Sequence, residues 1–428
     1  MSTAIEIEAS ARTATPWTLR RVVTAGVIGN VLEWYDFAVY GFFAPILAAK
    51  FFPAADPRVS LLAAFGAFAV GFLMRPVGAA VFGHIGDRYG RARALLFSVA
   101  MMAVPTVLMG LLPTYDTIGI AASVLIVALR MCQGIAVGGE FTASIVFLAE
   151  NAPPRRRGFF ASFSMFGATT GTMLGAAIGA LLTNALSPEA LATWGWRAAF
   201  VSGIVVAVVG VIIRRGMFDS PGKAAVASPL TVAFREHRWQ VLRVLGLNVA
   251  SAATYYTLFV YAATWVSQTT KIERAVALDV QTVTILTFLV VLPIAAWLSD
   301  RVGRRLMLTV GLTACLLLAY PLLNVMHSGA LVTTAAAQMA FGALLALQMA
   351  SIPAAMTEMF PHGVRVSAVS VGYGLAYALF GGTAPAVAVW LIGRTGSDTA
   401  FAWYLIGLTA ISLVIALGVR DRRGEPLS

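Results

Sequence analysis

The sequence predicts an all-α membrane protein of twelve transmembrane helices in two pseudo-symmetric six-helix bundles. Of its 428 residues, 59% are hydrophobic and 11% charged, and its mean hydropathy of +0.83 exceeds that of soluble domains. Apolar runs of about 20 residues, enough to cross a hydrocarbon core about 30 Å thick, recur twelve times. They fall near 22–47, 60–82, 94–113, 118–147, 159–183, 196–214, 242–267, 279–299, 306–326, 330–356, 367–392 and 401–419. A charged turn between the second and third runs, from Gly83 through Asp87, Arg88, Gly90 and Arg91 to Arg93, returns between the eighth and ninth. The second copy reads Trp297-Leu-Ser-Asp300-Arg301-Val-Gly303-Arg304-Arg305. Asp87 and Asp300 stand 213 positions apart, half the chain, which reads as a duplication.

The longest polar stretch, between Arg214 and Arg243, holds Pro221, Gly222, Ser228 and Pro229 and reads as a linker. The expected domains are therefore an N-terminal bundle over 1–214, a cytoplasmic linker over 215–241, and a C-terminal bundle with a short tail over 242–428. Of the 30 Lys and Arg, 22 fall on one side of the predicted spans and 5 on the other, which makes both termini cytoplasmic by the positive-inside rule. The formal charge of +11 lies in short loops, so it points to anionic lipid and not to nucleic acid. The first sixteen residues lack a basic cluster followed by an apolar core, so no cleavable signal is expected. Cys132 and Cys315 lie in apolar runs, which predicts neither a disulfide nor a metal site; no cofactor is expected.

Ionisable side chains inside a bilayer cost roughly 2.5–3.5 kcal/mol each on insertion scales, so each is a functional candidate. Glu33 and Asp36 lie three residues apart near mid-membrane, on a face continued by Phe37 and Tyr40. Desolvation and mutual repulsion there favour proton carriage; the alternative is a permanent ion pair with an arginine. Arg130 of the fourth run, with Gln133 beside it, sits at a comparable depth. It cannot deprotonate, so it is expected to bind a carboxylate of the protein or of a substrate. Arg75, next to Pro76, either faces the cavity or snorkels. Arg197, beside Trp194 and Trp196, reads as an interface anchor. The second half offers polar and aromatic candidates, Asn248 and Tyr255 in the seventh run and Tyr373 and Tyr377 in the eleventh. Gly167, Gly171, Gly175 and Gly179 form a stripe for close helix packing. All four histidines sit in loops, which argues against an intramembrane enzyme, and no ring of like charges suggests a channel.

The loop Gly-x-x-x-Asp87-Arg88-x-Gly90-Arg91 resembles the signature of the major facilitator superfamily, and Arg130-Met-Cys-Gln133-Gly134 resembles its fourth-span motif, whose arginine is tied to proton coupling. The stretch from Gly29 and Asn30 through Glu33, Trp34, Tyr35 and Asp36 to Phe37 resembles the metabolite:proton symporter branch. So do Gly71 to Gly78, Gly138-Gly139-Glu140, Trp194 to Arg197, and Phe380 to Pro385. That branch includes carriers for citrate and tricarballylate, 2-oxoglutarate, shikimate, and proline with betaine. The resemblance implies a monomeric, proton-coupled symporter of the bacterial cytoplasmic membrane working by alternating access. Glu33, Asp36 and Arg130 are the expected coupling residues. Asp87, Arg88, Arg91, Glu150, Arg157, Asp300, Arg304, Glu358 and Arg365 form an expected cytoplasmic gate. For the substrate, Arg130 with Arg75 suits a small organic acid, a di- or tricarboxylate such as citrate, contacted also by Trp34, Tyr35, Gln133, Asn248, Tyr255, Tyr373 and Tyr377. The alternative is a zwitterionic compatible solute such as proline or betaine, caged by Trp34, Tyr35, Tyr255 and Tyr256. The long charged C-terminal coiled coil of the osmosensing carriers does not follow Arg423.

Overall fold

The computed structural model describes residues 16–78, 81, 85, 91–137, 140–205, 208 and 235–427. Among them regular structure is helical throughout, and helices stand at all twelve predicted positions. Eight are long and apolar enough to cross a membrane unaided. The first span runs Pro16–Phe42 and restarts as Ala44–Phe51 after a 62° bend. Pro45 causes the restart: it lacks the N–H that would continue the hydrogen-bond ladder, yet suits the first turn of a new helix. The second span begins at Pro57, the third is Arg91–Leu111, and the fourth is Ile120–Ala136 followed by Glu140–Glu150. The fifth is Arg157–Ala185 and the sixth starts at Trp196. Arg238 opens the seventh, Arg274–Val302 and Arg304–His327 are the eighth and ninth, and Leu331 opens the tenth. Arg365 opens the eleventh, and Phe401–Leu417 is the twelfth.

Helix faces divide as a bilayer solvent demands: Leu181, Leu317 and Val414 are among the many apolar side chains left outward. The glycine stripe of the fifth span packs on the first. A Cβ at Gly167 would meet the Val27 carbonyl at 2.5 Å and one at Gly175 would meet Ala38 Cβ at 2.8 Å, so only glycine permits this approach. Arg197 departs from the expected interface anchor. Its Nη1 donates to the carbonyls of Gly110 and Leu112, 2.8 and 2.9 Å away, and so caps the C-terminal end of the third span. Of the predicted linker, residues 215–234 lie outside the described residues, as do Asp87, Arg88 and the side chains of Arg91 and Glu140.

The two halves meet at both ends of the bundle. At the end opposite the basic loops, Arg274 of the eighth span donates to the Phe42 carbonyl at the first-span bend. There Phe65 also meets Tyr261, ring centres 5.7 Å apart. The basic end is closed by charge.

Candidate functional site

At the basic end Asp300 accepts from the backbone N–H groups of Gly158 and Phe159, 2.8 Å each, and from Arg304 Nη1 at 2.6 Å. A carboxylate from the second half thereby caps the N-terminus of the fifth-span helix in the first, where the helix dipole favours negative charge. Arg157 Nη1 reaches Glu358 at 2.9 Å, Arg304 Nη2 reaches the same oxygen at 3.2 Å, and Arg365 donates to Glu150. The C-terminal segment joins in, with Arg422 donating to the Glu358 carbonyl at 3.1 Å and Arg157 Nη2 to the Glu425 carbonyl at 3.0 Å. Six of the nine expected gate residues are thus brought together. The other three are Asp87, Arg88 and Arg91.

Midway along the bundle, buried Trp34 meets Phe141 of the fourth span at 5.5 Å, and Tyr255 and Tyr256 of the seventh at 5.8 and 6.0 Å. Tyr373 and Tyr377 of the eleventh stack at 4.0 Å, and Tyr373 closes on Phe141 at 5.1 Å. Wide π-type turns at Thr257–Tyr261 and Tyr377–Gly381 bound this aromatic box, breaks of a kind frequent at functional sites. Tyr255 is held by Thr172 at 2.9 Å and Thr169 at 3.3 Å, so it stands in one orientation. Arg75 turns into the box and does not snorkel. Its guanidinium carbon lies 4.2, 5.1 and 5.4 Å from the ring centres of Phe72, Phe37 and Trp34. It is 6% exposed, and its Nε and Nη2 make no hydrogen bond among the described residues. Buried guanidinium donors without acceptors are costly, so an anionic group is the natural complement.

Arg130 lies deeper in the first half, stacked between Phe37 and Tyr40 at 4.5 Å from each ring centre. Its expected carboxylate partner is reached through intermediaries. Nη1 donates to Gln133 Oε1 at 2.7 Å, Gln133 Nε2 donates to Thr106 Oγ1 at 2.7 Å, and Thr106 faces the Asp36 carboxyl. Gln133 therefore braces Arg130, where a substrate contact is expected from the sequence.

Three further expectations need correction. Glu33 and Asp36 diverge: Asp36 faces the third and sixth spans, whereas Glu33 lies within electrostatic reach of Tyr256. Residues three apart on a helix differ by about 60° in direction, enough to face different neighbours. Tyr35 donates to the Ala199 carbonyl at 3.2 Å and pairs with Ser202 at 2.7 Å in the sixth span, because it stands about 100° round the helix from Trp34. It belongs to internal packing of the first half and leaves the box. Asn248 donates to the Val244 carbonyl and to Met356 Sδ, a position about 10 Å along the seventh span from Tyr255 toward the basic end.

Comparison with known proteins bears on this geometry. The family model described as "Sugar (and other) transporter" matches residues 22–222, and that described as "Major Facilitator Superfamily" matches 244–428. The proline/betaine transporter of Escherichia coli K12 is 32% identical over 425 residues, spanning 96% of this chain and 85% of that one. The chain belongs to the major facilitator superfamily. The alpha-ketoglutarate permease of the same strain is 34% identical over 421 residues, 95% of each chain. Among solved structures, the proton:xylose symporter XylE superimposes with a TM-score of 0.76 at 16% identity, covering 96% of this chain and 97% of that one, a likeness of fold. The chain is thus a transporter of this superfamily and not an enzyme. Sequence reasoning overlooks Thr106, which carries no charge and stands in no quoted motif; Gly158 stands with Arg155 to Arg157 after Glu150 in the sequence, but its place against Asp300 is read only from the structure.

Proposed function

We propose that this transporter is a proton-coupled importer of a zwitterionic compatible solute of the proline or betaine kind, working by alternating access between bundles 1–214 and 242–428. The observation that carries this reading is the pairing of the Arg75 guanidinium, whose Nε and Nη2 are unpartnered among the described residues, with the aromatic walls of Trp34, Tyr255, Tyr256, Tyr373 and Tyr377. A betaine presents a carboxylate a few ångströms from a quaternary ammonium, and such a pair fits a charged hook beside a cage of π faces. The likeness to a proline/betaine transporter supports it, and these findings favour it over citrate. Asp36 is the proton carrier, with Arg130 as its counter-charge. The basic end is the cytoplasmic gate, with both termini on that side, and the carrier works as a monomer in the cytoplasmic membrane.

A second reading, transport of a 2-oxo dicarboxylate, is favoured by the alpha-ketoglutarate relative and by the second guanidinium at Arg130. Arg130 also leaves Nε and Nη2 without partners among the described residues, but its Nη1 is held by Gln133, which makes Arg75 the better hook and one carboxylate the better match. Uptake of labelled glycine betaine, proline, 2-oxoglutarate and citrate into proteoliposomes, with and without an imposed pH gradient, decides between them. Accumulation of 2-oxoglutarate alone overturns the proposal.

A further inference from the structure

Thr106 follows Pro105 in the third span and is fully buried. Its hydroxyl stands among three partners: Gln133 Nε2 donates to it at 2.7 Å, it donates to the Met102 carbonyl at 2.9 Å, and the Asp36 carboxyl faces it. A threonine hydroxyl has one proton and two lone pairs. When Asp36 is ionised, that proton is better placed on the carboxylate, and the Met102 carbonyl loses its side-chain partner. When Asp36 is protonated, the carboxyl donates to Oγ1 and the hydroxyl proton returns to the Met102 carbonyl, which lies within reach at 2.9 Å. Gln133 donates to Oγ1 in both cases, and its own oxygen holds Arg130 Nη1 at 2.7 Å.

The surroundings leave room for this choice and little else. A Cβ at Gly203 of the sixth span would stand 3.0 Å from Thr106 Cγ2 and 3.2 Å from Asp36 Oδ1, so the bare glycine lets the two side chains sit together. Asp36 Oδ1 makes no hydrogen bond among the described residues. The charged or titratable groups facing Asp36 are Arg130 from the fourth span and Tyr35 from its own helix, with Glu33 nearly one turn away; the third and sixth spans contribute Thr106 and Gly203.

We infer that Thr106 is a positioning residue for proton coupling, its hydroxyl switching between Asp36 and Met102 with the protonation of Asp36 while Gln133 holds its oxygen in place against Arg130. This rests on the proposed role of Asp36 as carrier. The carried proton arrives from and returns to water as hydronium; at Thr106 only the hydroxyl rotates.

The test titrates the full chain, without substrate, in lipid nanodiscs by infrared difference spectroscopy. The protonated-carboxyl band that vanishes in Asp36→Asn belongs to Asp36. Thr106→Val removes a donor to the ionised form and an acceptor for the protonated one; the bond to the charged form is roughly twice as strong, so the band's midpoint moves up, by the difference of about half to one pH unit. Thr106→Ser returns it to the wild-type value, which a volume effect alone does not achieve. Gly203→Ala wedges Thr106 from Asp36 and moves the midpoint the same way, which keeps the test usable should Thr106→Val fail to fold. Wild-type midpoints in the valine and alanine variants overturn the inference and leave Asp36 as carrier. If Asp36→Asn removes no titrating band, the carrier reading falls and the inference with it.

Discussion

Replacing Gly158 by alanine forces the basic end open. A Cβ there would stand 2.9 Å from each of Arg304 Nη1, Asp300 Oδ1 and Ser299 Oγ, closer than such atoms come. Asp300 and Arg304 bind one another and Arg304 also binds Glu358, so the methyl has no soft neighbour to displace. The bonds at stake run from Gly158 N and Phe159 N to Asp300. Bonds to a charged acceptor contribute about 1.5 kcal/mol or more each, so losing both destabilises the closed gate by about 3 kcal/mol. At about 1.4 kcal/mol per tenfold, the closed-to-open ratio falls about 100-fold. With Cys132 and Cys315 replaced, spin labels at the exposed positions Arg155 and Arg305 report the separation of the halves by pulsed electron resonance. The expected result is a new long-distance population and slowed transport, with equilibrium substrate affinity held near wild type. An unchanged distance distribution, or an affinity loss equal to the rate loss, refutes the gate assignment.

Other expectations concern the centre of the bundle. Asp36→Asn loses uphill accumulation driven by a pH gradient yet keeps counterflow exchange, since exchange needs no net deprotonation; full accumulation in both this variant and Glu33→Gln removes the pair from the mechanism. Arg75→Gln raises KM for glycine betaine about 10- to 100-fold, the loss of one charge-assisted pair, and Trp34→Ala also raises it; a larger effect from Arg130→Lys than from either favours the dicarboxylate reading. Tyr35→Phe costs about 1 kcal/mol of stability in thermal unfolding through its lost bonds to Ala199 and Ser202 and leaves KM unchanged; a raised KM returns Tyr35 to the pocket.

The fold was legible because bilayer solvation writes itself into composition and run length, and because the duplicated Asp-Arg-Gly-Arg turn marks equivalent points in the two halves. Which residues are buried and charged was legible for the same reason: Arg75, Arg130, Glu33 and Asp36 stand out in apolar helices. What those side chains touch was not. Tyr35 and Trp34 are neighbours in sequence and belong to different interfaces, and the link from Arg130 to Asp36 runs through a glutamine and a threonine from two other helices. Helical periodicity gives the direction of a side chain only relative to its own axis, and the rotation of each helix against its neighbours is set by packing. Gly158 and Gly203 matter by the atoms they lack, a property read only from what stands opposite them.

The first span is where these contacts converge, and its packing suggests why. One side lies along the glycine stripe of the fifth span, touching through backbone and small atoms where interlocking side chains would otherwise fix its register. A second side presents Trp34 and the Phe42 carbonyl to the second half, at the aromatic box and the far closure. A third presents Asp36 to Thr106 and Gly203. A helix that meets its nearest neighbour through a smooth surface shifts along it at small cost, so a change of charge at Asp36 is free to become a displacement of Trp34 and of the bend at Phe42. The charged basic end, by contrast, is tied by bonds with definite geometry, so opening it would be a discrete step. A compliant element carrying the proposed proton and substrate groups, joined to an end proposed to switch between two states, would give two ligands a common equilibrium to bias, which symport requires.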